Sequence, residues 1–285
     1  MSQGEWAASP LAHPVHLGIW IEPHVTTRQA WYRRRGIVAF AIVAATTVAA
    51  RAQPLRPLTL RGHEQFLHLY GPPDGTPVIV SSGDGGWIHL GPHVAEWLAA
   101  RGYSVFGFDT KAYLAGFTGE HSALRPSEEP RDYKVLAGVA SAATGRKPIL
   151  IGVSEGAGLS VLAANDPDTK AAIAGVIAIG LPEVNELGWR WKDSLTYLTH
   201  HPPNEPVFSA AGLAGGVAPL PLALVQSTHD EFVPAADTRR IFDRAAAPKQ
   251  LWVVDASNHR FSDNLTEFNA RLLEALEWVQ HFQRR

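Results

Sequence analysis

The 285-residue sequence contains no cysteine. Disulfides, thiolate nucleophiles and cysteine-held zinc are therefore excluded. Neither sign of charge is in excess: 25 Lys and Arg stand against 27 Asp and Glu, a formal net charge of −2. That balance offers no basic footprint for nucleic acid, which is not expected as a partner. An apolar run at 37–50 has 14 residues, fewer than the roughly 20 that span a bilayer. There is no internal repeat. With 46% apolar and 18% charged residues, the composition is that of a folded globular chain.

The short apolar run has informative flanks. Arg33, Arg34 and Arg35 precede it, and Ala50-Arg51-Ala52 follows as a small-x-small site before Gln53. Basic, apolar and cleavage regions in that order have the layout of a secretory signal peptide with its core at Arg33–Ala52. An uncleaved anchor or a buried helix is the alternative. Arg34-Arg35 followed by Gly36 and Ile37 also resembles a twin-arginine signal. The expectation is export, by the Sec or twin-arginine route, to the periplasm or beyond. Residues 1–52 are read as leader and 53–285 as one domain. Removing the leader's five Arg and two Glu leaves 20 basic and 25 acidic residues, a net charge of −5.

Within 53–285, short apolar runs alternate with helical stretches. Strands are expected at 64–70 (in a hairpin with 58–60), 77–81, 103–108, 148–153, 174–179, 222–226 and 250–254. Helices are expected at 93–100, 131–143, 157–164, 235–246 and 264–282. The strands are continuously apolar, as in strands buried on both faces. The fold class is thus α/β, a doubly wound, mostly parallel sheet with helices on both faces. From Pro182 to Pro219 no clear strand is seen. An insertion of that length reads as a lid or binding loop, and its Trp189, Trp191 and Tyr197 are candidate substrate contacts. Simple packing of these aromatics on the sheet is the alternative.

The chemistry is carried by Gly152-Val153-Ser154-Glu155-Gly156, a G-x-S-x-G pentapeptide between a strand and a helix. A sharp turn there lifts a serine hydroxyl clear of the sheet, and the flanking glycines let it form. Folds built on this turn place an acid and then a histidine later in the chain. Asp230 follows the strand at 222–226, and His259 follows the strand at 250–254. Ser154, Asp230 and His259 are thus the candidate nucleophile, orienting acid and base. Glu231 and Asp255 are rival acids. An oxyanion needs two N–H donors. Glu155, after the nucleophile, is one. Asp84 and Gly85 in Ser81-Ser82-Gly83-Asp84-Gly85-Gly86-Trp87 are candidates for the other, through backbone amides. Glu155, Glu183 and Glu186 would put negative charge near the site and favour a cationic acyl group, or form a solvated rim. His89 and His93 are four apart, but Gly91-Pro92 intervenes and no third ligand is evident, so no metal site is assigned. No cofactor is expected.

Over 58–282 the chain resembles the α/β-hydrolases. Within them, SSGDGGW at 81–87, Asp109 with Tyr113, and the GVSEGAG elbow resemble the VirJ/AcvB family of bacterial virulence-associated hydrolases. Glu155 and Gly158 depart from that family's elbow, and HDEFVP at 229–234 is closer to dienelactone-hydrolase-type and general esterases. The resemblance implies an exported serine hydrolase of carboxylic esters, with aminoacyl-lipid esters in view. The substrate would be a small-molecule or lipid ester, including one at a membrane surface. A non-catalytic, secretion-associated envelope binding protein on the same fold is the alternative. Oligomeric state is not legible.

Overall fold

Apolar runs of five or six residues become the central strands, because only a sheet covered on both faces buries every side chain of such a run. The computed structural model describes residues 55–119, 123–190 and 206–283. The leader reading for 1–52 lies outside them. β1 (Arg56–Leu60) and β2 (His63–Tyr70) form the expected hairpin. Then follow β3 (Thr76–Ser81), α1 (Leu90–Ala99), β4 (Tyr103–Phe108) and α2 (Thr110–Phe117). The middle of the chain runs α3 (Glu129–Thr144), β5 (Ile149–Val153), α4 (Glu155–Ala163), α5 (Pro167–Ala172) and β6 (Gly175–Ile179). After β7 (Val184–Glu186), β8 (Val207–Ser209) and α6 (Ala210–Ala214), the last elements are β9 (Leu222–Ser227), α7 (Ala235–Arg244), β10 (Lys249–Val254) and α8 (Leu265–Gln283).

The eight-stranded sheet has the order β1-β2-β4-β3-β5-β6-β9-β10. Strands β4, β3, β5, β6, β9 and β10 are parallel, while β2 joins β4 antiparallel. Side chains alternate between the two faces. On β3, Val78 and Val80 join a cluster with Val94 and Leu98 of α1 and Leu272 and Leu276 of α8. Ile79 enters the opposite cluster, with Leu136 of α3 and Leu159 of α4. Helix α4 is buried from Gly156 to Ala163, so it is apolar all round and sits inside the molecule. From β3 the chain steps outward to β4 and then returns past β3 to β5. The direction of winding reverses there, and the carboxyl ends of β3 and β5 flank a crevice of the kind in which open α/β sheets bind ligands.

The insertion corrects the expectation of no strand at 182–219. β7 and β8 pair antiparallel, with Asn185 opposite Phe208. Their pattern is inverted: Asn185 is buried while Val184 and Val207 are exposed. Three-residue strands with the polar residue inward carry no periodic signal.

Polar groups are also buried beneath α3. Asp132 takes a forked pair from Arg61 (2.7 and 3.0 Å) and the hydroxyl of Tyr113 (2.7 Å). Tyr133 bonds the Ser81 hydroxyl at 2.8 Å. Glu129 beside them is fully buried, and neither carboxyl oxygen has a partner among the described residues. Burial, with Asp132 and Asp166 adding to it, pushes the Glu129 carboxyl well above the usual carboxylate range. The unfolded chain loses that proton near pH 4 while the folded chain keeps it. The contribution of Glu129 to stability therefore falls as pH rises from about 4 toward the folded value, by about 1.4 kcal/mol per pH unit. Glu129→Gln should flatten this fall and raise the urea midpoint at neutral pH, as read from denaturation curves at several pH values.

Candidate active site

Ser154 sits between β5 and α4 with φ 52° and ψ −120°, a conformation that costs a non-glycine residue about 1–3 kcal/mol. Two glycines make the turn possible. A Cβ on Gly152 would collide with the backbone of Gly156 and Ala157. One on Gly156 would collide with the carbonyls of Ser81 and Ser82. The Ser154 amide donates to the Ile179 carbonyl at 2.9 Å, anchoring the turn to β6. The serine is half-buried at the carboxyl edge of the sheet.

Asp230 and His259 meet as the chain order predicts. His259 Nδ1 lies 2.7 Å from Asp230 Oδ2. Gln226 donates to the same oxygen at 3.0 Å, and the amides of Phe232 and Val233 donate to Oδ1 at 2.9 and 2.8 Å. Burial pulls the Asp230 carboxyl up, but the His259 bond, the attraction of the imidazole and the two amides outweigh it and hold it below the usual range. Asp230 thus stays ionised and keeps the imidazole proton on Nδ1. The rival acids serve elsewhere. Glu231 accepts the His259 backbone amide at 2.6 Å, and Asp255 accepts the Thr228 hydroxyl at 3.2 Å. The imidazole rests on Gly180, which has φ 56° and where a Cβ would lie 2.6 Å from Cε1. Phe232 meets the ring edge-on at 5.5 Å. His259 Nε2 is buried with no partner among the described residues, so no bond joins it to Ser154 Oγ. Such bonds often form only once substrate is present.

The glycine-rich loop after β3 closes over the serine from the other side. Gly83 is its nearest point: a Cβ there would lie 3.3 Å from Ser154 Cβ and 3.9 Å from Oγ. Asp84 follows, and its charge acts on Glu155. Gly85 lines a separate cleft, and a Cβ there would meet Ile88. A tight turn joins the Gly86 amide to the Gly83 carbonyl (3.1 Å) around it. Glu155 is the first residue of α4, so its amide has no partner within the helix and remains a candidate donor.

That cleft, of about 400 Å³, is bounded by His68, Trp87, Asp109 and Lys111. Trp87 stacks on His68 (4.7 Å between centroids) and donates from its indole to the Tyr70 hydroxyl at 3.1 Å. Its ring covers Gly107 of β4, where any Cβ would strike it. Asp109 caps α2 and also accepts the Trp87 amide at 3.2 Å. Of the three insertion aromatics, Trp189 lies under the Lys111 ammonium at 4.3 Å, which places it at this cleft's edge. Trp191 and Tyr197 lie outside the described residues. Glu183 is engaged by the Ser209 hydroxyl and the Ala211 amide. His93 bonds Asn269 at 3.0 Å.

Sequence reasoning missed Gly180 and Gln226, and it named Glu231 only as a rival acid and Gly83 only as part of the loop. Gln226 carried a signal, as a polar residue ending an apolar strand. Gly180, directly after β6, carried a weaker one. Gly180→Ala should destabilise the protein by about 1–3 kcal/mol and tilt the imidazole off Asp230. Urea unfolding and loss of the imidazole Nδ1 proton resonance check this.

Comparisons agree with this architecture. Residues 75–190 match the family model for the bacterial virulence protein VirJ. An esterase of Pyrococcus furiosus superposes with a TM-score of 0.61 at 20% identity, over 79% of this chain and 90% of its own. The α/β hydrolase GrgF of Penicillium gives 0.59 at 15% identity, over 80% and 99%. A membrane phospholipase A described as a bacterial virulence factor gives 0.56 at 12% identity, over 80% and 86%. No protein of curated function matches the sequence. The chain has the α/β-hydrolase fold and, through residues 75–190, resembles the VirJ bacterial virulence proteins.

Proposed function

We propose that the protein is an exported serine hydrolase that cleaves carboxylic esters through an acyl-enzyme on Ser154. The observation that carries this reading is the 2.7 Å contact of His259 with buried Asp230 beside a serine held on a strained elbow. Ser154 Oγ attacks the acyl carbonyl as His259 Nε2 takes its proton. The C–O bond to the alcohol breaks, and His259 returns the proton to the leaving oxygen. Water, activated by the same imidazole, then attacks the acyl-serine and releases the acid. Asp230 keeps Nδ1 protonated and stabilises the imidazolium in both halves. The amides of Glu155 and Asp84 are assigned to the oxyanion. A donor of that kind is worth about 3–4 kcal/mol of barrier.

A small-molecule or lipid ester is the substrate class. The VirJ resemblance favours a lipid ester, aminoacyl lipids among them, and the phospholipase neighbour is consistent with one. The signal-like segment at 33–52 supports export.

A fluorophosphonate probe should label the purified protein at Ser154, and Ser154→Ala should abolish both labelling and ester hydrolysis. Asp230→Asn should lower kcat by about 10³–10⁴-fold by allowing the wrong imidazole tautomer. Absence of labelling in a folded protein would turn the reading toward the non-catalytic binding protein. In cell fractions, the exported form should begin at Gln53 by N-terminal sequencing.

A further inference from the structure

The mechanism above uses the amide of Glu155 and leaves its carboxyl without a role. That carboxyl belongs to the half-buried residue after the nucleophile, and Oε1 accepts the amide of Glu186 at 2.6 Å. Glu186 ends β7, on the first arm of the insertion. The residue before it, Asn185, is pressed against α4 so closely that a Cβ on Gly158 would collide with its side chain. Asn185 Nδ2 in turn donates to the Pro182 carbonyl at 2.9 Å, holding the bend into β7. The charge of Asp84, on the glycine-rich loop, also acts on the Glu155 carboxyl. The elbow and the insertion are therefore joined through one side chain, with a charge of the oxyanion loop acting on it.

We propose that the Glu155 side chain is a positioning residue, which sets the alignment of the oxyanion donor on the elbow by tying β7 to the first turn of α4. The proposal rests on Ser154 being the nucleophile.

Geometry makes this hold depend on charge. The charged groups acting on Glu155 are Asp84, from the loop after β3, and Glu186, from β7. Burial first, and then these two carboxylates, push the Glu155 carboxyl well above the usual range, against the pull of the Glu186 amide. Neutral, it tolerates both neighbours. Once ionised, it is a third negative charge at the point where the segments meet, and like charges in a desolvated site repel strongly. Rising pH therefore loosens the tie between β7 and α4 while the Ser154–His259–Asp230 side chains remain in place. The predicted signature is a loss of kcat toward alkaline pH, with little change in KM.

The test measures kcat and KM of the full chain on a soluble neutral ester, p-nitrophenyl butyrate, from about pH 5 to 9. Wild type, Glu155→Gln and Glu155→Ala are compared. Wild-type kcat should fall toward higher pH. Glu155→Gln still accepts the Glu186 amide but cannot ionise, so its falling limb should vanish. Glu155→Ala should lose about tenfold in kcat with KM within about twofold, the equivalent of one hydrogen bond. Gln should recover most of that loss. A falling limb shared by wild type and Glu155→Gln overturns the proposal, as does a wild type with no falling limb or an Ala variant with undiminished kcat. Ser154→Ala separates the two levels. If it stays active, the nucleophile reading fails. If it is inactive while Glu155→Gln titrates as wild type does, only the positioning role fails.

Discussion

Everything at the site depends on one strained residue, Ser154, held in a backbone conformation that L-amino acids avoid. The strain persists because the surroundings over-determine it. Helix α4 is buried on all sides, so it cannot shift to relax the turn. Gly152 and Gly156 carry no side chain to block the close approach of strand, helix and loop. The cost of the turn is met by packing far larger than itself, and the hydroxyl is left at the edge of the sheet instead of inside it.

The imidazole is constrained in a similar way, from four directions. Asp230 fixes Nδ1, Glu231 holds the backbone amide, Gly180 forms the floor and Phe232 leans on the ring edge. Each contact removes a freedom that the reaction cannot use. Asp230 is itself held by Gln226 and two backbone amides, so its charge stays in place without drifting toward solvent. Hydrogen bonds of this kind to a charged group are stronger than neutral ones and more directional.

The glycine-rich loop divides into two parts with different tasks. Gly83 and Asp84 lie along the serine side, whereas Gly85, Gly86 and Trp87 turn outward to build the cleft with His68 and Lys111. β7 rests on α4 through Asn185 and Glu186, and Trp189 lies under Lys111. Burial pushes the His68 imidazole below its ordinary value against the pull of Asp109, which leaves Lys111 as the cation of that cleft.

Although α2 and α5 were not expected, most of the strand–helix order, the hairpin, the elbow and the Ser-Asp-His order were legible in the amino-acid sequence. Each is a local pattern: apolar runs set by burial on two faces, glycines set by a tight turn, polar residues at strand ends. Proximity was not legible. Whether Asp230 or Glu231 takes the imidazole depends on which way one turn directs two neighbouring carboxyls. β7 and β8 escaped notice because each has three residues, the inward residue of β7 is polar, and their pairing joins segments about 20 residues apart. Composition and periodicity report how a residue meets water. Only the packed structure decides which residues, distant in the chain, meet each other, because that choice is made by the shape of the whole core.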